Sequence, residues 1–197
     1  MSKIAQNYLG EKGGNVLKPI LLIAVVILSL TFFTQSNARA ASGTEITGDI
    51  LQILIPAGAY GATFLKDDPE GRMQFYKSFC TNLGVTYALK YAINKPRPEN
   101  NGDHSFPSGH TSAAFQGATF IHLRYGWEYS IPAYLGASFV GWSRVEGESD
   151  KHDATDVVAG AAIGILSAYF FTTPYEDLAI APIAGNGVYG ISITGQW

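Results

Sequence analysis

The sequence has a single cysteine and few charged side chains. Because Cys80 has no second cysteine to pair with, an internal disulfide is excluded, and the thiol is interpreted as a small apolar residue on a helix. Charged residues make up 15% of the chain and hydrophobic residues 47%, a balance that excludes a largely disordered protein. Neither His104 nor His122 has a partner at a metal-ligand spacing, so we expect no metal and no cofactor. The chain shows no repeat, and its 197 residues suit one domain.

A basic start followed by an uncharged apolar run occupies the N-terminus. Three lysines precede the apolar run at 19–33, and the small residues Ala38 and Ala40 follow it. This order is typical of an export signal, and it predicts a signal peptide over residues 1–40 and a mature domain over 41–197. An uncleaved anchor helix is the alternative, although the run is shorter than the roughly 20 residues that a membrane span normally needs.

Removal of the leader would leave an acidic protein. Residues 41–197 carry nine basic and fifteen acidic side chains, a formal charge of −6. This excess of negative charge argues against a nucleic-acid partner, although a small cationic pocket is compatible with it. Export places the protein in the periplasm or, if its apolar helices are embedded, in the inner membrane with the loops at 95–108 and 144–153 facing the periplasm.

Apolar runs rich in small residues, separated by loops rich in proline and glycine, predict an all-α fold. The predicted helices of the mature chain cover 48–65, 73–94, 109–124, 130–143 and 156–171. With the leader they make a bundle of five to six helices. The tail carries AGNG between two short apolar runs, which predicts a short C-terminal β-hairpin.

Polar residues that interrupt the apolar pattern fall at helix ends. In an up-and-down bundle the loops 95–108 and 144–153 lie at the same end, together with the helix ends that flank them. The polar side chains there are Lys90, Arg97, Ser108, His110, Arg144, His152 and Asp156. We therefore expect a functional site at one end of the bundle.

This set of residues suits a phosphate group. The amides near Ser108 and Gly109 stand at a helix N-terminus, where unpaired N–H groups bind anions, and a glycine there lets the backbone approach closely. Arg97 and Arg144 can each bind two oxygens, and Lys90 adds a point charge. Together these groups would stabilise the negative charge of a phosphoryl transition state.

Two histidines supply the reacting groups. His152 and Asp156 are four residues apart, so at the start of a helix the carboxylate can hold one ring N–H while the other nitrogen attacks phosphorus. His110, on the opposing helix, can protonate the leaving oxygen and later activate water. Taken singly, each residue has an ordinary structural explanation such as a helix cap or a solvated charge, but the combination does not follow from those explanations.

Three ordered motifs span residues 90–156, about a third of the chain. They are Lys90-x6-Arg97-Pro98, Pro107-Ser108-Gly109-His110, and Ser143-Arg144 followed by His152-x3-Asp156. Together they resemble the signature of the type 2 phosphatidic acid phosphatase superfamily, which also includes bacterial class A acid phosphatases and vanadium haloperoxidases.

The resemblance implies a helical phosphatase with assigned roles. His152 would be the nucleophile, Asp156 its orienting partner and His110 the general acid. The phosphate would be bound by Lys90, Arg97, Ser108, Gly109 and Arg144. One departure is the interval VEGESDK between Arg144 and His152, which has seven residues where the family usually has five. We interpret it as a two-residue insertion at 147–148, which a bulged loop can absorb.

The leading hypothesis is a metal-independent enzyme that hydrolyses phosphomonoesters through a phosphohistidine. Its substrate is a small phosphate ester or a lipid phosphate. One alternative is a polyprenyl diphosphate or lipid phosphatase of the inner membrane, which the apolar helices favour. Another is a vanadate-dependent haloperoxidase, since the same oxygen-binding groups accommodate vanadate. A helical protein that binds phosphate without turnover is the non-enzymatic alternative.

Overall fold

The structure, a computed structural model, describes residues 43–100, 102–147, 151–175, 179–185 and 188–194. In these residues the chain forms five α-helices, which confirms the predicted all-α bundle. The helices are α1 (Gly43–Leu65), α2 (Pro69–Ile93), α3 (Gly109–Tyr125), α4 (Trp127–Glu146) and α5 (Ala154–Phe171), with a 3-10 helix at Pro98–Asn100. The predicted signal peptide lies outside the described residues, so the leader and the domain boundary after it stay predictions.

Two strands follow the helices. Strand β1 (Ala179–Gly185) pairs antiparallel with β2 (Val188–Thr194), and Gly185 lies opposite Val188. The turn of the predicted hairpin falls on residues 186–187, which lie outside the described residues, so the hairpin stays a prediction.

Helix α2 begins earlier than the sequence pattern predicted. The predicted helix begins at residue 73, but α2 starts at Pro69. The Asp68 carboxylate accepts a hydrogen bond of 2.7 Å from the Gly71 amide, and a proline fits the first helical position because it needs no N–H donor there. The polar residues just before 73 therefore include the N-cap of α2.

The other boundaries differ for similar local reasons. Helix α4 begins at Trp127 rather than at 130, because a single residue, Gly126 with φ of 100°, makes the whole turn between α3 and α4. Helix α5 begins at Ala154 rather than at 156. The Asp156 carboxylate accepts a 3.2 Å hydrogen bond from the Asp153 amide, and this bond closes the first turn.

Helix α3 packs against each of the other four helices and so forms the centre of the bundle. Its contact with α5 is unusually close. A Cβ atom at Gly160 would collide with the Ser108 carbonyl, and one at Gly164 would collide with the Ser112 carbonyl. The two glycines therefore allow the start of α3, which carries Gly109 and His110, to lie directly against α5, whose first turn carries Asp156.

The interior of the bundle combines an apolar core with many buried polar side chains, and large apolar side chains lie on its outer surface. Between α2 and α3, the buried Gln116 side chain donates a 2.8 Å hydrogen bond to Ser78, and Ser112 lies 3.2 Å from the Thr86 hydroxyl. Large apolar side chains are exposed on α1, α2, α4 and α5, among them Leu54, Tyr91, Leu135, Trp142, Val158 and Phe170. Of the described helices, α5 alone is long and apolar enough to cross a membrane, by length and composition.

Candidate active site

Asp156 is the most heavily contacted carboxylate at this end of the bundle. It is fully buried in the first turn of α5. Lys95 places its ammonium 2.7 Å from Oδ1, while the Ser105 hydroxyl donates a short hydrogen bond to Oδ2. A carboxylate with a cation on one oxygen and a hydroxyl on the other has a fixed orientation, so it can orient a third group.

That third group is His152, which is also buried. Its Nδ1 lies 3.4 Å from Asp156 Oδ2 and 3.3 Å from the Ser105 hydroxyl, and its Nε2 lies 3.4 Å from Arg97 Nη1. These contacts assign the proton to Nδ1, facing the carboxylate, and the lone pair to Nε2, facing the guanidinium. The imidazole therefore has the tautomer and orientation of a nucleophile.

The longer interval before His152 does not displace it. The His152 amide donates a 2.8 Å hydrogen bond to the Arg144 carbonyl, which closes the loop between the two residues. The central residues 148–150 lie outside the described residues. With His152 still beside Asp156, the two additional residues are accommodated without separating the predicted pair.

The start of α3 lies beside Asp156. The Ser108 amide donates a 2.9 Å hydrogen bond to the Asp156 carbonyl, and the Ser108 hydroxyl lies 3.0 Å from that of Thr111. The Ser108 amide is therefore already used within the protein, which was not expected from the sequence. The predicted anion site at this helix start therefore depends on the amides of Gly109 and His110, in the first helical turn.

The loop between α2 and α3 contains Arg97 and holds the Lys90 side chain. Lys90 is buried, and its ammonium donates a 2.8 Å hydrogen bond to the His104 carbonyl. The His104 ring contacts both the Lys90 carbonyl and Tyr91. The half-buried His104 therefore ties the loop to α2. The loop thus fixes the Lys90 ammonium at the end of α2.

The side chains of Arg144 and His110 both contact α1, a helix that none of the three motifs includes. Arg144 is 1% exposed, and its Nη2 donates a 2.8 Å hydrogen bond to the Glu45 carbonyl of α1. Asp49, one turn further along α1, has Oδ1 3.0 Å from Arg144 Nη1 and 3.2 Å from His110 Nε2. Helix α1 therefore forms one wall of the site.

Three contributors to the site could not be identified by motif reasoning: Lys95, Ser105 and Asp49. Burial alone would lower the pKa of Lys95, but hydrogen bonds to Asp153 and Asp156 outweigh it and raise that pKa. The only sequence signal for Asp49 is a charge inside an otherwise apolar helix.

Among the described residues no group of three or more histidine, cysteine or acidic side chains is placed to hold a metal ion.

The geometry agrees with a comparison of the sequence with known families. The sequence model of the PAP2 superfamily matches residues 73–178, from α2 through α5, which is more than half of the chain. The chain belongs to the PAP2 superfamily. This confirms the family that the three motifs resemble, and every predicted site residue lies within the matched segment.

Named PAP2-related proteins are similar to parts of the chain. Over 87 residues it is 46% identical to the lipid A 1-phosphatase of Porphyromonas gingivalis, covering 42% of this chain and 19% of that protein. Over 141 residues it is 32% identical to a probable lipid phosphate phosphatase 4 of Arabidopsis thaliana, covering 61% and 42% respectively. The chain thus spans less than half the length of these curated relatives. The crystal structure of Aquifex aeolicus LpxE is also similar, with a TM-score of 0.48, 22% identity, and coverage of 64% of this chain and 90% of that one.

Proposed function

We propose that this PAP2 protein hydrolyses the phosphate monoester of a lipid, without a metal, through a phosphohistidine on His152. One observation carries the proposal. The buried His152 ring has Nδ1 beside a fixed carboxylate and Nε2 beside the Arg97 guanidinium. A nitrogen lone pair that faces a cationic anion-binding group is placed to attack a phosphorus atom whose oxygens that group binds.

The reaction has two steps. In the first, the Nε2 lone pair of His152 forms a bond to phosphorus while the bond to the ester oxygen breaks, and His110 gives that oxygen its proton. In the second, His110 takes a proton from water, the resulting hydroxide attacks phosphorus, and the bond to Nε2 breaks. Inorganic phosphate leaves, and both histidines return to their starting protonation states. Arg97, Arg144 and Lys90 stabilise the negative charge on the phosphoryl oxygens in both steps.

Two observations support a lipid as the carrier of the phosphate. Similar proteins are named for lipid A or lipid phosphate substrates. Exposed apolar side chains also surround the site end of the bundle: Ile46 and Ile50 on α1, Tyr91 and Ile93 on α2, Trp142 on α4 and Val158 on α5. A surface of this kind suits contact with lipid rather than with water, and tryptophan and tyrosine suit a membrane interface. Export, with the site on the periplasmic side, is part of the same proposal.

The test is the turnover of a His152→Ala protein. We expect a loss of at least about 10⁴-fold in kcat, because no other group replaces an attacking nitrogen. His122→Ala is the matched control, since that ring lies at the opposite end of the bundle and packs on Trp127 and Tyr134. Unchanged turnover in a folded His152→Ala protein would contradict the mechanism.

The lipid part of the proposal needs its own comparison. Wild-type protein is assayed on phosphatidic acid in mixed micelles and on a soluble aryl phosphate at the same concentration. We expect the larger kcat/KM on the lipid. A protein that hydrolyses the aryl phosphate and ignores the lipid would keep the phosphohistidine mechanism and exclude the lipid substrate.

A further inference from the structure

Asp49 lies outside all three motifs, yet its carboxylate contacts two residues of the proposed site. Its Oδ1 is 3.0 Å from Arg144 Nη1 and 3.2 Å from His110 Nε2. The side chains of both partners are buried, with exposures of 1% and 7%, whereas that of Asp49 is 46% exposed. A half-exposed carboxylate therefore covers a buried guanidinium and a buried imidazole.

This contact depends on charge rather than on directional hydrogen bonds. The Oδ1 atom of Asp49 is buried, and it accepts no hydrogen bond from the described residues. A buried acceptor without a hydrogen bond is costly, since it has lost water and gained no directional partner. A phosphoryl group has three oxygens and can accept two parallel hydrogen bonds from a guanidinium, so it is the better partner for Arg144.

We propose that Asp49 is a displaceable carboxylate that competes with phosphoryl groups for Arg144 and His110. The inference rests on the proposed function, because it takes the competing anion to be a phosphate. A phosphoryl group at Arg144 repels the Asp49 carboxylate, and the exposed side chain can turn into water without leaving a buried charge behind. His110 Nε2, released by the carboxylate, then faces the phosphoryl group as its proton donor.

Two consequences follow for the enzyme. The carboxylate weakens the binding of substrate and of inorganic phosphate to a similar extent, because both place a phosphoryl group at the same guanidinium. It also helps the product to leave, since it returns to Arg144 when phosphate dissociates. Asp49 is thus a residue that sets affinity for the phosphoryl group, and the chemical step belongs to the two histidines.

The experiment is an Asp49→Asn substitution in the full chain. We expect the inhibition constant of inorganic phosphate and the KM for a soluble aryl phosphate both to fall about fivefold, the effect of removing a partly exposed opposing charge. The kcat is expected to change less than about twofold. Glu128→Gln is the matched control, because it removes one exposed negative charge in the first turn of α4, at the opposite end of the bundle.

Unchanged or weaker inhibition by phosphate in the Asp49→Asn protein would overturn the inference. A loss of kcat at constant KM would also overturn it, because Asp49 would then position His110 for the chemical step. Asp49→Ser provides the same measurement if the asparagine variant does not fold. A wild-type protein that neither turns over the ester nor binds phosphate overturns the proposed function itself, whereas an active wild type with an unchanged variant overturns this inference alone.

Discussion

The two ends of the bundle each contain a buried carboxylate near the start of a helix. At the site end, Asp156 is contacted by the Lys95 ammonium and the Ser105 hydroxyl. At the opposite end, Asp68 accepts hydrogen bonds of 2.6 and 2.8 Å from the Arg124 guanidinium and one of 2.9 Å from the Tyr125 hydroxyl. The same arrangement of acid, cation and hydroxyl therefore occurs twice in one bundle.

The partners of these two carboxylates differ in the other contacts that they make. Arg124 also donates to the carbonyls of Thr173 and Pro174, at 2.9 and 3.0 Å, so this end ties the chain after α5 to the start of α2. Asp156 instead orients a histidine whose second nitrogen faces Arg97. We therefore expect Asp68 to be structural and Asp156 to be functional, because only Asp156 contacts a histidine whose second nitrogen faces a guanidinium.

Among the changes that compare the two ends, the largest effect is expected when Asp156, the buried acid of the site, is neutralised. Asp156→Asn should lower kcat by about 10³-fold or more, because an amide neither holds the His152 tautomer nor stabilises its positive charge. The measurement is steady-state kinetics on the aryl phosphate, with folding checked by thermal unfolding. A loss smaller than tenfold in a folded protein would mean that His152 does not depend on this carboxylate.

Neutralising Asp68, the buried acid at the opposite end, should lower stability and leave turnover nearly unchanged. Asp68→Asn leaves the buried Arg124 without its charged partner, and we expect the free energy of unfolding to fall by about 3 kcal/mol. Turnover at a temperature where the variant is folded should stay within about twofold of wild type. The control is Asp67→Asn, since this neighbouring acid is exposed and its φ of 46° is one that asparagine tolerates. Lost turnover in folded Asp68→Asn would break the distinction between the ends.

A smaller effect is expected from the hydroxyl that fixes the site acid. Ser105→Ala should lower kcat about tenfold, since the Asp156 carboxylate would keep Lys95 on Oδ1 but lose the shortest of the hydrogen bonds to Oδ2. Ser130→Ala removes a hydroxyl that is equally buried but lies at the other end of the bundle. We expect it to leave kcat unchanged, and equal losses in both variants would indicate a general packing effect.

The smallest effect concerns the pH dependence of stability. Burial would raise the pKa of Asp68, but hydrogen bonds from Arg124, Gly71 and Tyr125 outweigh it and lower that pKa. Its contribution is therefore present above the usual pKa of about 4 and is lost as the pH falls through the lowered value. The raised pKa of Lys95 gives a contribution present below about pH 10.4 that is lost as the pH rises through the raised value.

The contributions of Asp68 and Lys95 should therefore be lost at opposite extremes of pH. Thermal unfolding of Asp68→Asn should show a smaller loss of stability in acid than wild type, and Lys95→Gln a smaller loss in alkali. Lys77→Gln, at an exposed position on α2, is the control for the second variant. Variants whose stability profiles run parallel to that of wild type at both extremes would contradict these assignments.

The sequence was sufficient for the order of the helices, because apolar periodicity and loop composition are local properties. It was insufficient at the helix starts. Asp68 and Gly126 resemble loop residues by composition, but one caps a helix through its side chain and the other makes a one-residue turn. Whether a polar residue caps a helix or interrupts it depends on backbone geometry, which cannot be inferred from the spacing of apolar residues.

The site was predictable where spacing along the chain carries the chemistry. His152 and Asp156 are four residues apart on one helix start, and the structure places their side chains together. Lys95, Ser105 and Asp49 reach the same site from a loop and from α1, so their roles depend on tertiary contacts that no local pattern encodes. The roles assigned to the motif residues in catalysis and phosphate binding remain predictions.

The most direct test is to look for the phosphoryl group on His152. Wild-type protein is mixed with excess phosphate ester, quenched in alkali during turnover and digested, and the peptides are analysed by mass spectrometry. We expect one phosphoryl group on the peptide that contains His152, and none on the corresponding peptide of His152→Ala. Turnover with no phosphorylated peptide, or with the phosphoryl group on another residue, would contradict His152 as the nucleophile.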